Sequence, residues 1–218
     1  MVQWDTGYAW EVLPALLEGL RITVLATLIA YAIALVLGLV WTLLRRAPNV
    51  VVRQTTRWVT EFIRSTPLIP QLFFVYFVFP DWGLTLESLT AGIITLGVHY
   101  STYTAEVYRA GIADIPKGQW EACTALNLPK SRVWLDVILP QAVRRVIPTL
   151  GNYLIATFKD TPMLLAISVH EVLFVAFDEG AKTLHYLEPL TVAGLIFVMV
   201  SVISSILIRR LERRYATY

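Results

Sequence analysis

The sequence predicts an all-α integral membrane protein of five transmembrane helices. Its N-terminus lies outside, its C-terminus is cytoplasmic, and a helical loop hangs on the cytoplasmic side. Three observations predict this. Of 218 residues, 56% are hydrophobic and only 16% charged, whereas an ordinary globular domain is about half apolar and about a quarter charged. Several apolar runs approach the roughly 20 residues that a bilayer crossing needs. Finally, the connections between these runs are alternately rich and poor in Lys and Arg, the asymmetry that orients membrane proteins.

The first span, residues 20–44, is uncharged from residue 22 onward and rich in Leu, Ala and Val. The second, 58–79, carries Glu61 and Arg64 in its first turns and is interrupted by Pro67 and Pro70. Its "RSTP" reads as a re-entrant or interfacial bend in which Ser65 and Thr66 re-satisfy freed backbone groups. The third span is 88–109. The fourth, 146–174, holds Lys159, Asp160 and Pro162 inside it. The fifth, 189–208, is uncharged. With no repeat, low-complexity tract or linker, residues 1–218 read as one transmembrane domain.

Orientation follows from the charges. The first connection holds Arg45, Arg46, Arg53 and Arg57, and the second, "DWGLTLE", has no basic residue. The third holds Lys117, Lys130, Arg132, Arg144 and Arg145. The fourth has only Lys182, among Asp178, Glu179 and Glu188, and the tail holds Arg209, Arg210, Arg213 and Arg214. This alternation fits an odd number of crossings.

Other classes are disfavoured. A net charge of +2 gives no footprint for nucleic acid. Cys123 is the only cysteine, which excludes an intrachain disulfide and a cysteine metal site. His99, His170 and His185 fall on separate spans or loops without metal-ligand spacing, so neither a catalytic nor a metal site is expected. The N-terminus lacks the basic start of a cleavable leader.

The largest basic connection, 111–145, is polar yet helical in pattern. After the turn marked by Asp114, Pro116 and Gly118, "QWEACTALN" reads as a short helix, with Trp120, Cys123 and Leu126 or Asn127 on one face. Glu121 in its first turn suits the helix dipole, and Asn127 suits a C-terminal cap. A second helix, "SRVWLDVIL", follows Ser131 and ends at Pro140. Either the apolar sides of these helices enter a groove on a separate protein, or the loop packs against its own helix ends.

"EACTALNLPKSRVWLDVILPQA" resembles the EAA loop of binding-protein-dependent ABC importer permeases. Glu121, Ala122 and Cys123 stand at its Glu-Ala-Ala, Asn127 at its Gly, and Ile138, Leu139 and Pro140 at its Ile-x-Leu-Pro. Cys123 for Ala and Asn127 for Gly are departures. "EFIRSTPLIPQLFFVYFV", "YSTYTAEVYRAGI" and "LGNYLIATFKDTPMLLAI" resemble the polar amino acid branch of that family. "ALNL", "NYLIATFKDTP" and "YLEPLT" look most like ectoine and hydroxyectoine permeases. The resemblance implies a multi-pass protein of the bacterial plasma (inner) membrane, a permease subunit and not an enzyme. It would pair with a second permease, related or identical, with two ATPase subunits, with an extracytoplasmic solute-binding protein and with membrane lipid. ATP and Mg would be bound by the ATPases and no cofactor by this chain, which lacks a GxxxxGK[ST] phosphate loop. Gly118, Trp120, Glu121, Ala122, Cys123, Leu126, Asn127 and Pro140 would couple to the ATPases. The solute would be ectoine or hydroxyectoine, or else a polar amino acid such as glutamine, glutamate, histidine or arginine. The rival class is a secondary transporter or channel, which needs no helical dock.

Charged groups at membrane depth usually face a bundle interior or a watery cavity. Lys159 lies about 20 Å along its helix from Arg145, beyond snorkelling range. Lys159, Asp160, Thr161 and Pro162 therefore read as a substrate or gate site, or as an inter-subunit salt bridge. On the third span, His99, Tyr103 and Glu106 recur at four- and three-residue spacing, with Tyr100 and Thr102 flanking. Such a face suits a delocalised cation. The plainer alternatives are a Glu106–Arg109 bridge and a hydrogen-bonded core histidine. Ser65 and Thr66 complete the expected pathway.

Overall fold

The structure is a computed structural model describing residues 4–215; Met1, the start of the stretch read for a leader, lies outside them. Among the described residues every regular element is helical. Helix α1 runs Thr6–Leu44, opened by the Asp5 carboxylate accepting from the Tyr8 N–H at 3.1 Å. It begins well before the predicted 20–44. Its 39 residues extend about 58 Å, so Glu11, Glu18 and Arg21 lie on a helical extension ahead of the uncharged stretch.

Helix α2 (Val50–Ser65) is capped by Asn49 and bends by 108° into the segment Leu68–Trp82. That segment starts as α3 (Leu68–Phe73), widens into a π turn (Phe74–Val78) and closes in a 3-10 turn (Phe79–Trp82). The stretch read as an interrupted span at 58–79 is broken at that bend, and its residues 58–65 belong to α2. The cause is Pro67, which holds Thr66 extended at φ −94°, ψ 132°. Helix α4 (Ser88–Ala113) follows the third predicted span closely.

Helix α5 (Lys117–Ala125) is the first helix of the basic loop. The second does not stop at Pro140. Helix α6 (Lys130–Arg132), a π turn (Val133–Ile138), α7 (Leu139–Asp160) and a 3-10 turn (Thr161–Ile167) form one helical run. Pro140 stands at the start of α7, where the π turn has already displaced the hydrogen-bond register. The predicted span 146–174 is broken within as well. The run ends at Ser168, in a left-handed conformation with φ 60°, and bends by 46° into α8 (Val172–Thr183). Glu171 caps α8, accepting from the N–H groups of Leu173 (3.0 Å) and Phe174 (2.7 Å). Helix α9 (Leu187–Tyr215) exceeds the predicted 189–208 at both ends.

By length and apolarity, Thr6–Leu44 and Leu187–Arg210 can each cross a membrane, and four segments can if each bent pair is one span. Helix α4 is not among them. His99, Ser101, Thr102 and Thr104 make it too polar for lipid, and all four are buried within the protein instead.

That burial comes from close helix approach. On α1, Ala30, Ala34 and Gly38 form a small-residue stripe against α4. A Cβ on Gly38 would meet Thr104 Oγ1 at 2.0 Å, and one on Gly97 would meet Ile33 Cγ2 at 2.7 Å. Lipid supplies no hydrophobic drive between helices, so packing and polar bonds hold them together. Thr104 Oγ1 donates to the Ala34 carbonyl (2.7 Å) and Trp41 Nε1 to Ser101 Oγ (2.9 Å). Each such bond contributes about 0.6 kcal/mol. Three apolar clusters are stacked along the molecule. One joins α1, α8 and α9 around Val12, Leu16 and Ala193. The middle one joins α1, α3 and α4 around Ala30, Leu72 and Leu96. The third ties the α5 arm to the long run around Ile115 and Ile138.

Candidate functional site

Three helices meet at a polar, aromatic cluster inside the bundle. Helix α4 supplies His99, Tyr100 and Tyr103; α7 supplies Tyr153 and, at its end, Asp160; α3 supplies Gln71. The rings sit together: His99–Tyr103 centroids are 5.3 Å apart, Tyr100–Tyr103 5.8 Å and Tyr103–Tyr153 5.5 Å. Tyr100 donates its hydroxyl proton to Asp160 Oδ2 at 2.6 Å. Asp160 lies about 22 Å along α7 from Arg145, and Tyr100 about 21 Å along α4 from Asp114. Arg145 and Asp114 are ion-paired, so both residues lie at the same depth. Tyr103, Tyr153 and Asp160 are half-buried, which leaves the cluster open on one side.

Pro162 tightens the chain into the 3-10 turn just beyond Asp160. The carbonyl of Phe158 that this frees accepts both the N–H and the hydroxyl of Thr161, the latter at 2.7 Å. Lys159, next in sequence to Asp160, points elsewhere. It is exposed and makes no ion pair among the described residues.

The bend between α2 and α3 is tied to the same cluster. Gln71 Nε2 donates to the carbonyls of Ile63 (2.6 Å) and Thr66 (3.0 Å). Its Oε1 is therefore left to accept from His99 Nδ1 at 3.2 Å, which places the proton on that nitrogen. Thr66 re-satisfies backbone as expected, donating to the Phe62 carbonyl at 2.7 Å, whereas Ser65 makes no side-chain bond among the described residues. Gln71 and Tyr153 were not read from the sequence. The available signal for Gln71 was a lone amide in "LIPQLFFVYF".

Glu106 does not join the aromatic cluster. It pairs with Arg109 (2.7 Å), as its plainer reading expects, and also with Arg45 and, at 3.7 Å, Arg64. Arg64 holds Glu61 at 2.6 Å, and Arg45 reaches Thr60 Oγ1 at 2.5 Å. The expected His99–Tyr103–Glu106 face therefore splits, its last member ending in a charge network with α1 and α2. Thr102 is buried and donates to the His99 carbonyl.

The α5 arm divides its residues between two faces. Trp120 stacks edge-on against Trp134 with centroids 5.4 Å apart, and Cys123 is 4% exposed. The guanidinium of Arg46 lies 5.1 Å from the Trp134 ring centre. These residues pack against their own chain. The expectation that Trp120, Cys123 and Leu126 share an outward apolar face is corrected. The exposed face is Gly118, Glu121, Ala122, Ala125 and Leu126, at three- and four-residue steps, with Leu126 71% exposed. The arm ends as read at Asn127, which is left-handed (φ 51°). The N–H groups of Leu128 and Asn127 bond to the carbonyls of Cys123 (3.1 Å) and Thr124 (3.0 Å), the Schellman pattern. Among the described residues no group of three His, Cys, Asp or Glu side chains is placed to hold a metal ion.

Residues 34–217 match the family described as the binding-protein-dependent transport system inner membrane component. A probable amino-acid ABC transporter permease of Sinorhizobium fredii is 43% identical over 94% of this chain and 91% of its own. An arginine transport system permease of Bacillus subtilis is 34% identical, covering 93% of each chain. A glutamine transport system permease of Escherichia coli is 32% identical, covering 98% of each. A crystal structure of an amino acid ABC transporter with histidines superposes with a TM-score of 0.94 at 29% identity, over 97% of this chain and 99% of that one.

Proposed function

The chain belongs to the binding-protein-dependent transport system inner membrane components and is a multi-pass membrane protein. On that premise we propose that it is the membrane-spanning permease subunit of an ATP-driven importer for polar amino acids. It crosses the membrane five times, with the α5 arm in the cytoplasm. A second permease packs beside it, ATPase subunits carrying ATP and Mg dock on the arms, and an external solute-binding protein delivers the solute. The relatives described above are named for amino acids, arginine and glutamine among them. This moves the substrate reading from ectoine and hydroxyectoine to amino acids, although "NYLIATFKDTP" and "YLEPLT" keep ectoine as the second candidate.

The observation that carries the substrate class is the Asp160 carboxylate, oriented by Tyr100 beside the rings of Tyr103, Tyr153 and His99. A carboxylate at this depth complements an ammonium or guanidinium group. Ring faces attract the same cation through their quadrupoles. Lys159, exposed and without an ion-pair partner among the described residues, faces outward, where the second permease or the pathway offers it a partner. On the arm, the exposed face led by Glu121 and Leu126 is the dock, and Trp120 and Cys123 brace it from behind.

The test is uptake into vesicles holding the assembled importer, with unlabelled arginine, histidine, glutamine, glutamate and ectoine as competitors. Competition by one or more of the amino acids and none by ectoine is the expected result. Competition by ectoine alone would replace the substrate class. Transport that survives ATP depletion while a proton gradient is held would replace the mechanism with secondary transport.

A further inference from the structure

Helix α2 has two unlike faces. Five arginines, Arg45, Arg53, Arg57, Arg64 and Arg109, line a pocket of about 430 Å³ between α2 and the ends of α1 and α4. Only two glutamates, Glu61 and Glu106, join them, a surplus of three positive charges. Those carboxylates are committed to Arg45, Arg64 and Arg109. Arg53 and Arg57 are exposed and have no carboxylate partner among the described residues. In addition, Arg45 Nε is buried without an acceptor. The pocket thus holds donors for an anion that the described residues do not provide.

Its depth says which anion. The uncharged stretch 22–44 of α1 ends at Arg45, and the uncharged stretch 88–105 of α4 ends at Glu106. The pocket sits where both leave the hydrocarbon. A second face of α2, roughly 120° round the helix from the arginines, presents Val51, Trp58 and Phe62, each about two-thirds or more exposed. A helix with an arginine face and a Trp/Phe face lies in the plane of the headgroups. The last turn of α2 also borders an apolar groove of about 490 Å³, lined by Phe62, Ile63, Phe74, Val75 and Val98, a shape suited to an acyl chain.

We propose that the arginine pocket binds the phosphate of an anionic phospholipid and that this lipid holds α2 flat at the membrane surface. Basic pockets between helices at the interface recognise such headgroups. A free phosphate would satisfy the arginines alone; the apolar face and groove beside them favour the lipid.

The test is native mass spectrometry of the full chain in detergent, offered phosphatidylglycerol, phosphatidylcholine or inorganic phosphate. The chain is expected to retain phosphatidylglycerol in preference to phosphatidylcholine, and millimolar phosphate is not expected to displace it. Arg53→Gln with Arg57→Gln should weaken phosphatidylglycerol retention by roughly tenfold or more. Lys130→Gln with Arg132→Gln, the same charge loss on α6, should leave it unchanged. All four side chains are exposed, so the variants are expected to fold, and a native-like helical circular dichroism spectrum checks this. Equal retention of the two lipids, or unaltered retention by the α2 variant, overturns the proposal. Full displacement by inorganic phosphate would replace the lipid with a free anion. Dimers that exclude lipid from α2 would assign that face to a second copy, which also overturns it.

Discussion

Asp160 and Gly38 are single positions at which a small chemical change has a calculable effect. Asp160→Asn keeps an acceptor for Tyr100 but removes the charge that a cationic solute needs. Uptake should fall at least tenfold, the worth of a lost charge-assisted bond of about 1.5–3 kcal/mol, while the complex still assembles. Tyr100→Phe leaves the carboxylate charged but unoriented, so it should raise the concentration for half-maximal uptake more than it lowers the limiting rate. If both variants transport normally, the cluster lies off the pathway. Gly38→Ala places a methyl group on Thr104 Oγ1 and should destabilise the α1–α4 pair by about 1–3 kcal/mol, read as a lower unfolding midpoint in detergent. At this scale the sequence showed His99 and Tyr103 on one face with Tyr100 flanking, because local helical spacing encodes it, though it also put Glu106 there. It did not show Gln71, whose role depends on a bend that brings two freed carbonyls to one amide. Nor did it show Arg45 and Arg64 beside Glu106, because partners on other helices leave no mark in local spacing.

The α5 arm and the run after it show what can be read of an element. The Asn127 turn was legible because a left-handed residue suits Asn, and Gly suits it better still. Asn127→Gly should therefore be neutral or stabilising by up to about 1 kcal/mol in thermal unfolding. The inward turn of Cys123 was not legible, since a short amphipathic helix does not say whether its apolar side meets its own chain or another. The thiol tests the placement. A polar maleimide should label Cys123 far more slowly than a cysteine put at residue 122 in a Cys123→Ser background, with no ATPase present. Equal rates would mean that the arm stands away from Trp134. Pro140 was read as the end of a helix, yet the helical run continues through it. The π turn ahead of Pro140 absorbs the missing donor, and no simple sequence signal announces a π turn.

Across the whole molecule, charge placement predicts the sidedness and burial explains the one helix that apolarity misses. A reporter fused at His185, in the turn between α8 and α9, should read the outside face, and one fused after Tyr218 should read the cytoplasm. Agreement between the two would end the five-crossing scheme. The fusion point matters, because residues 177–183, read from sequence as loop, are the last turns of α8. Helix α4 was legible as a helix of spanning length but not by hydropathy alone, since its polar side chains are buried inside the protein. The long run from Lys130 to Ile167 carries a further consequence. Between Leu139 and Asp160 it is uninterrupted α-helix, so the bearing of the arm and the bearing of the Asp160 carboxylate about the helix axis are phase-locked. One alanine inserted after Leu150 would advance everything beyond it by about 100° and 1.5 Å. Asp160 would then swing away from Tyr100 while every residue of the arm and of the cluster remained chemically intact.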